Sequence, residues 1–347
     1  MSHPTLFARL ALGGCVAALV LGGASAQAPG PGGPGGPPAA PAAPDPATFP
    51  HRDYPGGVVG LQDITFATNR GFRPLKLDLY LPANRQPPKA LVLWIHGGGW
   101  SQGDPRGGGI QAPAYRDWPK VLASLAGRGY VVAGISYRLS GEARFPAAIF
   151  DVKAAVRWLR ANAATYGIDP ARVVVWGGSA GGQLAALLGT SCNVVELEGT
   201  PVRGAQASSC VQGVVDFYGP TDFRQMDAQR LPNTDSASHD APTSGESVYL
   251  GCPLPQCPPE QLRLANPIAF VDRTDPPFLI MHGDADTAVP PKQSQILYDA
   301  LKAAGVKAEL LYVPGVNHIF AGATDAQGAM ILDKVFAFLD ATTGTTR

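Results

Sequence analysis

The sequence has no excess of either charge: 27 Lys+Arg face 27 Asp+Glu in 347 residues, and charged residues make up only 16%. No run of Lys or Arg interrupts that balance, which argues against a nucleic-acid groove and against a patch for anionic membranes. Apolar runs are short. None reaches the roughly 20 residues that a helical membrane span needs, so no membrane contact is expected once the leader described below is removed. Cysteine is scarce at five residues. Cys252 and Cys257 have no second Cys/His pair at ligand spacing, which argues against zinc. Apolar residues themselves are not lacking: at 45% hydrophobic the chain can bury a core, and global disorder is excluded. The length allows one large or two modest domains, at about 100–200 residues each. What is abundant is glycine, 42 residues, and proline, 34.

The N-terminus has the form of an export signal. Arg9 precedes an apolar run over residues 10–21, and Ala24-Ser25-Ala26 supplies a small-x-small cleavage site. Residues 1–26 are therefore expected to be a signal peptide, with a mature start at Gln27 in a secreted or periplasmic protein. A lipidation box at Leu12-Gly13-Gly14-Cys15 is the weaker reading, because too little apolar sequence precedes Cys15. Residues 27–50 are almost entirely Pro, Gly and Ala, without the strict third-position glycine of collagen. They are expected to form an extended or disordered spacer ahead of a catalytic domain at 51–347. Export removes Cys15 and leaves Cys192, Cys210, Cys252 and Cys257, an even number for an oxidising compartment. Of the three possible pairings, proximity favours Cys192 with Cys210 and Cys252 with Cys257. Free buried thiols are the alternative.

From about His51 the pattern becomes regular. Residues 75–81 alternate Leu with Lys and Asp, the signature of a half-buried strand at an antiparallel edge. Residues 90–95 and 130–136 are unbroken apolar runs, as in strands buried on both faces of a parallel sheet. Residues 118–127 read as helix. Over 146–166, Val152, Ala155, Val156, Leu159 and Ala163 recur at helical spacing, and Gly167 supplies a stop. Further strands are expected at 172–176, 211–218, 277–282 and 308–313. Helices are expected from the turn after 176 through 188, then at 294–305 and 328–341. This alternation defines an α/β class, a mostly parallel sheet with helices on both faces. A polar, Pro-rich stretch at about 222–267 interrupts it. We read it as an insertion folded over one edge of the sheet, expected to shape the acyl pocket.

The strand at 172–176 runs into Gly177-Gly178-Ser179-Ala180-Gly181-Gly182 and then into a helix. That is G-x-S-x-G in its strand–turn–helix context, which exposes a serine hydroxyl at the carboxyl end of the sheet. Taken alone, the motif is also compatible with a plain tight turn. A serine nucleophile needs an imidazole base and a carboxylate to orient it, in the chain order Ser, acid, His. Of six histidines, His3 falls in the leader, His51 borders the spacer and His239 lies in the insertion. His96 and His282 each sit at a strand end before glycine, which suits a structural turn role. His318 follows the last strand and every candidate acid, so it is the expected base. Asp284 and Asp286 both lie past the strand at 277–282, and position alone does not separate them. The stretch from Asp286 to His318 leaves room for one helix and one strand. After 90–95 comes His96-Gly97-Gly98-Gly99-Trp100, whose glycines let backbone amides approach a developing oxyanion, with the Ala180 amide completing the hole. A phosphate cradle is excluded, because the Lys-Ser/Thr of a P-loop and the G-x-G-x-x-G spacing are both missing. Trp100 reads as either an aromatic pocket wall or a core side chain.

Taken together, residues 60–340 resemble the α/β-hydrolase fold. More narrowly, the H-G-G-G-W, G-G-S-A-G-G and H-G-x-x-D-x-x-V-P motifs resemble those of the bacterial bifunctional feruloyl and acetyl xylan esterases. The stretches at 151–160 and 217–222 are similar to that group as well. The resemblance implies Ser179 as nucleophile, Asp286 rather than Asp284 as acid, His318 as base, and the amides of Gly98, Gly99 and Ala180 as the oxyanion hole. It also implies carboxylic ester cleavage through an acyl-enzyme, with acetyl or feruloyl esters on small molecules or polysaccharide as substrates and no cofactor or metal. Gln183 departs from relatives that often carry His there. Amide-cleaving relatives are the second reading: the formamidases that share H-G-G-x-W are intracellular, and peptidases of this fold usually carry a propeller. A non-catalytic binding protein is the third, although such proteins have usually lost a member of the triad. Nothing in the sequence addresses oligomeric state.

Overall fold

The computed structural model describes residues 39–200, 206–232 and 237–345. The expected signal peptide and the first part of the spacer lie outside the described residues. One nine-stranded sheet organises the chain. Its strands are β1 (His51–Tyr54), β2 (Val58–Ala67), β3 (Leu75–Leu81), β4 (Lys89–Ile95), β5 (Val131–Ile135), β6 (Ile168–Gly178), β7 (Gly213–Phe217), β8 (Phe278–Gly283) and β9 (Ala308–Val313). The spatial order is β1-β2-β3-β5-β4-β6-β7-β8-β9. The first three strands pair antiparallel, β3 pairs antiparallel with β5, and every remaining pair is parallel. This is the mostly parallel sheet expected from the βα alternation, in the α/β-hydrolase architecture that the resemblance implies.

The helices are α1 (Trp118–Gly127), α2 (Ala147–Ala161), α3 (Ala163–Tyr166), α4 (Ala180–Thr190), α5 (Gly245–Leu250), α6 (Pro259–Ala265), α7 (Lys292–Ala303) and α8 (Asp325–Thr343). Two cores result, one per sheet face. α2, α4 and α7 pack with Leu91, Leu93, Val173 and Val175 on one face. On the other, α1 and α8 pack with Val92, Trp94, Val174 and Trp176. Trp94, Trp118 and Trp176 form a mutual cluster there, with ring centroids 4.6–5.1 Å apart beneath β4 and β6. Such aromatic packing stiffens the two strands that carry the glycine loops. Among the described residues no helix is long and apolar enough to cross a membrane.

Four expectations are corrected. β3 is not an edge strand, since β2 and β1 continue the sheet beyond it. Its Asp78 is buried because the Arg106 guanidinium pairs with it at 2.6 and 3.0 Å, so polar alternation did not mean solvent. The single helix over 146–166 is two helices, divided at Asn162. The spacer is not free throughout: from residue 39 it is docked on the catalytic body. Trp158 Nε1 donates to the Pro41 carbonyl at 2.8 Å, and Ala40, Ala43 and Phe49 pack on the core. Proline carbonyls remain good acceptors although proline has no N–H. Finally, the insertion lies over the carboxyl ends of the central strands rather than at a sheet edge. Tyr249 of α5 stacks on Trp100 at 4.6 Å, and Gln183 of α4 donates to the Ala265 carbonyl at 2.7 Å. The structure pairs Cys192 with Cys210 and Cys252 with Cys257. The second disulfide lies within the insertion.

One buried carboxyl stands behind the turn at Ser179. Asp216 at the end of β7 is fully buried, and its Oδ1 accepts the Gly219 amide at 3.0 Å while Oδ2 lacks a partner. Burial pushes its pKa up to about 7 despite the Gly219 amide. The unfolded chain therefore releases this proton at lower pH than the folded chain, and stability falls as pH rises from about 4 to about 7. Asp216→Asn keeps the Gly219 contact and removes the titration. Thermal melts at pH 5 and pH 8 are expected to show a smaller drop in Tm for the variant; parallel drops in both proteins would contradict this assignment.

Candidate active site

Ser179 connects β6 to α4 with φ 58° and ψ −123°, a conformation that few side chains adopt. The turn closes only on glycine. A Cβ on Gly177 would lie 2.0 Å from the Gly181 carbonyl oxygen, and one on Gly181 would lie 2.1 Å from that of Ile95. Backbone stands against backbone at both positions, so no side-chain movement could relieve the clash. The hydroxyl emerges beside the helix N-terminus, whose first amides have no intrahelical acceptor.

The structure brings the three expected side chains into one chain of hydrogen bonds. His318 Nε2 lies 2.9 Å from Ser179 Oγ, and His318 Nδ1 lies 2.7 Å from Asp286 Oδ2. Asp286 is fully buried on the loop after β8, where its Oδ1 accepts the amides of Ala288 and Val289 at 2.8 Å each. Burial alone would raise its pKa, but the hydrogen bonds from His282 and His318 outweigh it and hold the carboxyl well below the usual range. Asp284, the other candidate, is exposed and accepts the Gly315 amide at 2.7 Å. It is a turn former. Asn317 Oδ1 accepts both the His318 and Thr287 amides, at 2.6 and 2.9 Å, which ties the base loop to the acid loop.

Two histidines assigned to turns do more than turn the chain. His96 Nδ1 lies 2.8 Å from the Gly97 carbonyl, and its ring stacks on Tyr137 at 4.5 Å. Burial pushes its pKa down to about 4. With the Gly97 carbonyl held by His96, the Gly98 N–H across the same planar peptide points the other way. The Gly98 carbonyl is likewise held by the Ser101 and Gln102 amides at 3.1 and 3.2 Å, which turns the Gly99 N–H outward. Gly98 and Gly99 line a cavity of about 720 Å³ together with Ser179, Tyr218 and His318. Neither amide donates to a protein acceptor among the described residues. The amides of Gly98 and Gly99 are thus oriented and unengaged at this cavity.

His282 is fully buried, with Nε2 3.1 Å from Asp286 Oδ2 and 3.0 Å from the Val289 carbonyl, and with Nδ1 2.7 Å from Ser294 Oγ. Nε2 faces two acceptors, so it carries the proton. Tyr218 also stands at the site, although no motif marks it. Its ring meets His318 edge-on at 5.0 Å, and its hydroxyl donates to the Gly109 carbonyl at 2.6 Å. Trp100 is both things the sequence allowed: it is 2% exposed, donates from Nε1 to Gln183 Oε1 at 3.0 Å, and lines a second cavity at Ser179. Gln183 therefore bridges the oxyanion loop to the insertion. Among the described residues no group of three or more His, Cys, Asp or Glu side chains is placed to hold a metal ion.

The model of the BD-FAE family matches residues 77–301, which include Ser179 and Asp286. The chain belongs to the BD-FAE family. It is 30% identical to the esterase LipQ of Mycobacterium tuberculosis (strain ATCC 25618 / H37Rv), over 84% of this chain and 63% of that protein. The chain thus spans less than two thirds of that relative. A truncated form of a carbohydrate esterase from gut microbiota is similar in structure, with TM-score 0.69 and 30% identity over 87% of this chain and 100% of that one. Esterase 2 of Thermogutta terrifontis, phosphonylated by sarin, matches with TM-score 0.61 and 26% identity, over 78% of this chain and 90% of that one. These BD-FAE and esterase likenesses fit the α/β-hydrolase sheet described above.

Within this BD-FAE chain, His282 is expected to act as a positioning residue for Asp286. Hydrogen bonds to charged groups contribute about 1.5–3 kcal/mol, so His282→Ala should lower kcat about 10- to 100-fold with KM changed less than about threefold. His282→Gln, which can present a donor at the same place, should recover part of the loss. A variant that melts earlier yet keeps kcat per folded molecule would make His282 a packing residue only.

Proposed function

We propose that the protein is a secreted serine carboxylesterase acting on short-acyl or aromatic esters such as acetyl and feruloyl esters. The observation that carries the reading is the continuous Ser179–His318–Asp286 hydrogen-bond chain, opening beside the unengaged amides of Gly98 and Gly99. Ser179 Oγ attacks the ester carbonyl carbon as His318 Nε2 takes its proton. The amides of Gly98, Gly99 and Ala180 receive the oxyanion, where preorganised donors commonly contribute 10²–10³-fold in rate. The C–O bond to the alcohol breaks, and His318 returns the proton to the leaving oxygen. Water, deprotonated by the same nitrogen, then releases the acid and restores Ser179. Asp286 fixes the tautomer that keeps Nε2 free to accept, and stabilises the imidazolium.

The glycine walls, the Tyr218 ring and the apolar Val248 and Ile319 of the larger cavity favour a small or flat acyl group. The leader at 1–26 supports export, and the family match supports an ester bond. No observation favours the amide-cleaving or non-catalytic readings. Ser179→Ala should reduce turnover of p-nitrophenyl acetate on the order of 10⁵- to 10⁶-fold, the scale seen when a serine nucleophile is deleted. Across a p-nitrophenyl acyl series with methyl ferulate, acetate and ferulate should exceed long-chain esters in kcat/KM. Unchanged turnover in Ser179→Ala, or an optimum at octanoate, would reject the mechanism or the acyl class respectively.

A further inference from the structure

A three-residue rhythm runs through the docked end of the spacer. Pro38, Pro41 and Pro44 recur at every third position, with Ala-Ala between them. Exposure follows the same period: Ala39, Ala42 and Asp45 are exposed, while Ala40, Pro41, Ala43 and Pro44 are half-buried. A helix would repeat at 3.6 residues and a strand at 2, whereas polyproline II repeats at three. Among the described residues no backbone hydrogen bond is made within 40–44, as in polyproline II, whose peptide groups are left for outside partners. The run then stops at a turn, where the Asp45 carbonyl accepts the Thr48 and Phe49 amides at 3.2 and 3.0 Å.

The surface beneath supplies donors at the matching interval. Trp158 of α2 and Tyr166 of α3 lie on either side of the break at Asn162, with ring centroids 5.9 Å apart. Trp158 Nε1 donates to the Pro41 carbonyl at 2.8 Å, and the Tyr166 hydroxyl reaches the Pro44 carbonyl at 3.4 Å. These acceptors are one polyproline turn apart, so a single face of the segment meets both donors. Ala40 and Ala43, also one turn apart, pack on the core, and Phe49 joins them after the turn. With the segment in place Trp158 is 1% exposed and Tyr166 is fully buried.

We propose that Trp158, Tyr166 and the adjoining core form a polyproline-binding groove, and that its ligand is the chain's own segment 39–49. Between separate proteins, Pro-x-x-Pro segments dock in aromatic-lined grooves because their conformation is set before binding. Here ligand and groove share one chain, and the short connection holds the ligand at high effective concentration. The alanines give the groove its selectivity. Upstream, Pro31, Pro34 and Pro37 have the same spacing but Gly-Gly between them, so that series offers no methyl to the core. The folded body therefore begins at residue 39 rather than 51, and the segment clasps α2 to α3.

The test places glycine on one face of the segment or the other in the whole chain. Ala40→Gly with Ala43→Gly removes the inward methyls, and Ala39→Gly with Ala42→Gly removes the outward ones. Both pairs add the same backbone freedom to the undocked segment. Trp158→Phe keeps a ring and removes the donor. Proteinase K cuts within residues 37–49 are located and timed by mass spectrometry, beside thermal melts of each protein. The inward pair should be cut about 3- to 10-fold faster than the outward pair. Trp158→Phe should be cut about 3- to 10-fold faster than wild type, the rise in open population that loss of one hydrogen bond gives. The glycine pairs leave every groove residue in place, so they decide the matter if Trp158→Phe melts early. Equal cutting of the two glycine pairs, or a folded Trp158→Phe cut no faster than wild type, would overturn the groove.

Discussion

The tight turn at Ser179 is the constraint on which the rest of the site depends. A positive φ at a non-glycine residue persists only when the surroundings over-determine it, and here they do. The Gly177 and Gly181 backbones pack against each other and against the Ile95 carbonyl with no room for a side chain. The same closeness brings β4 next to β6, with Ile95 in register with Gly177, so the oxyanion loop after Ile95 starts beside the nucleophile. A sheet in another order would leave these loops apart. The Trp94, Trp118 and Trp176 cluster holds the two strands from below, and Gln183 and Trp100 link the turn to the insertion above.

Asp286 is the second fixed point. Its two oxygens accept from two amides and two imidazoles, so the carboxylate has no freedom left to rotate. The parallel register of β7, β8 and β9 delivers these groups: Gly283 pairs with Val313, so the loops bearing Asp286 and His318 leave the sheet side by side. Buried charge is tolerated here because every acceptor position that faces the protein is used.

Much of the site was legible because its signals are local. The glycines around Ser179 and after His96 mark backbone that must come close to backbone or substrate, and such demands sit within a few residues of sequence. The parallel core was legible because a strand covered on both faces must be apolar throughout. What escaped was set by distant partners. Asp78 looked solvent-facing until Arg106 covered it. On α2, Lys153 is fully buried because Glu198 and the Ser191 carbonyl receive its ammonium. His282 and His96 looked alike as turn histidines at strand ends. Only the fold shows that His282 faces Asp286 and that His96 holds the Gly97 carbonyl. Proline-rich composition likewise told nothing of Pro41, whose carbonyl meets Trp158.

The central claim is that Ser179 is the group that takes the acyl chain. Organophosphates transfer their phosphoryl group to an activated serine, so the most direct measurement is peptide mass spectrometry after treatment with diethyl p-nitrophenyl phosphate. A diethyl phosphate adduct is expected on the peptide holding Ser179, appearing in step with loss of esterase activity and absent from Ser179→Ala. Full inactivation with the adduct on another residue, or a phosphorylated Ser179 in an enzyme that still turns over ester, would contradict it.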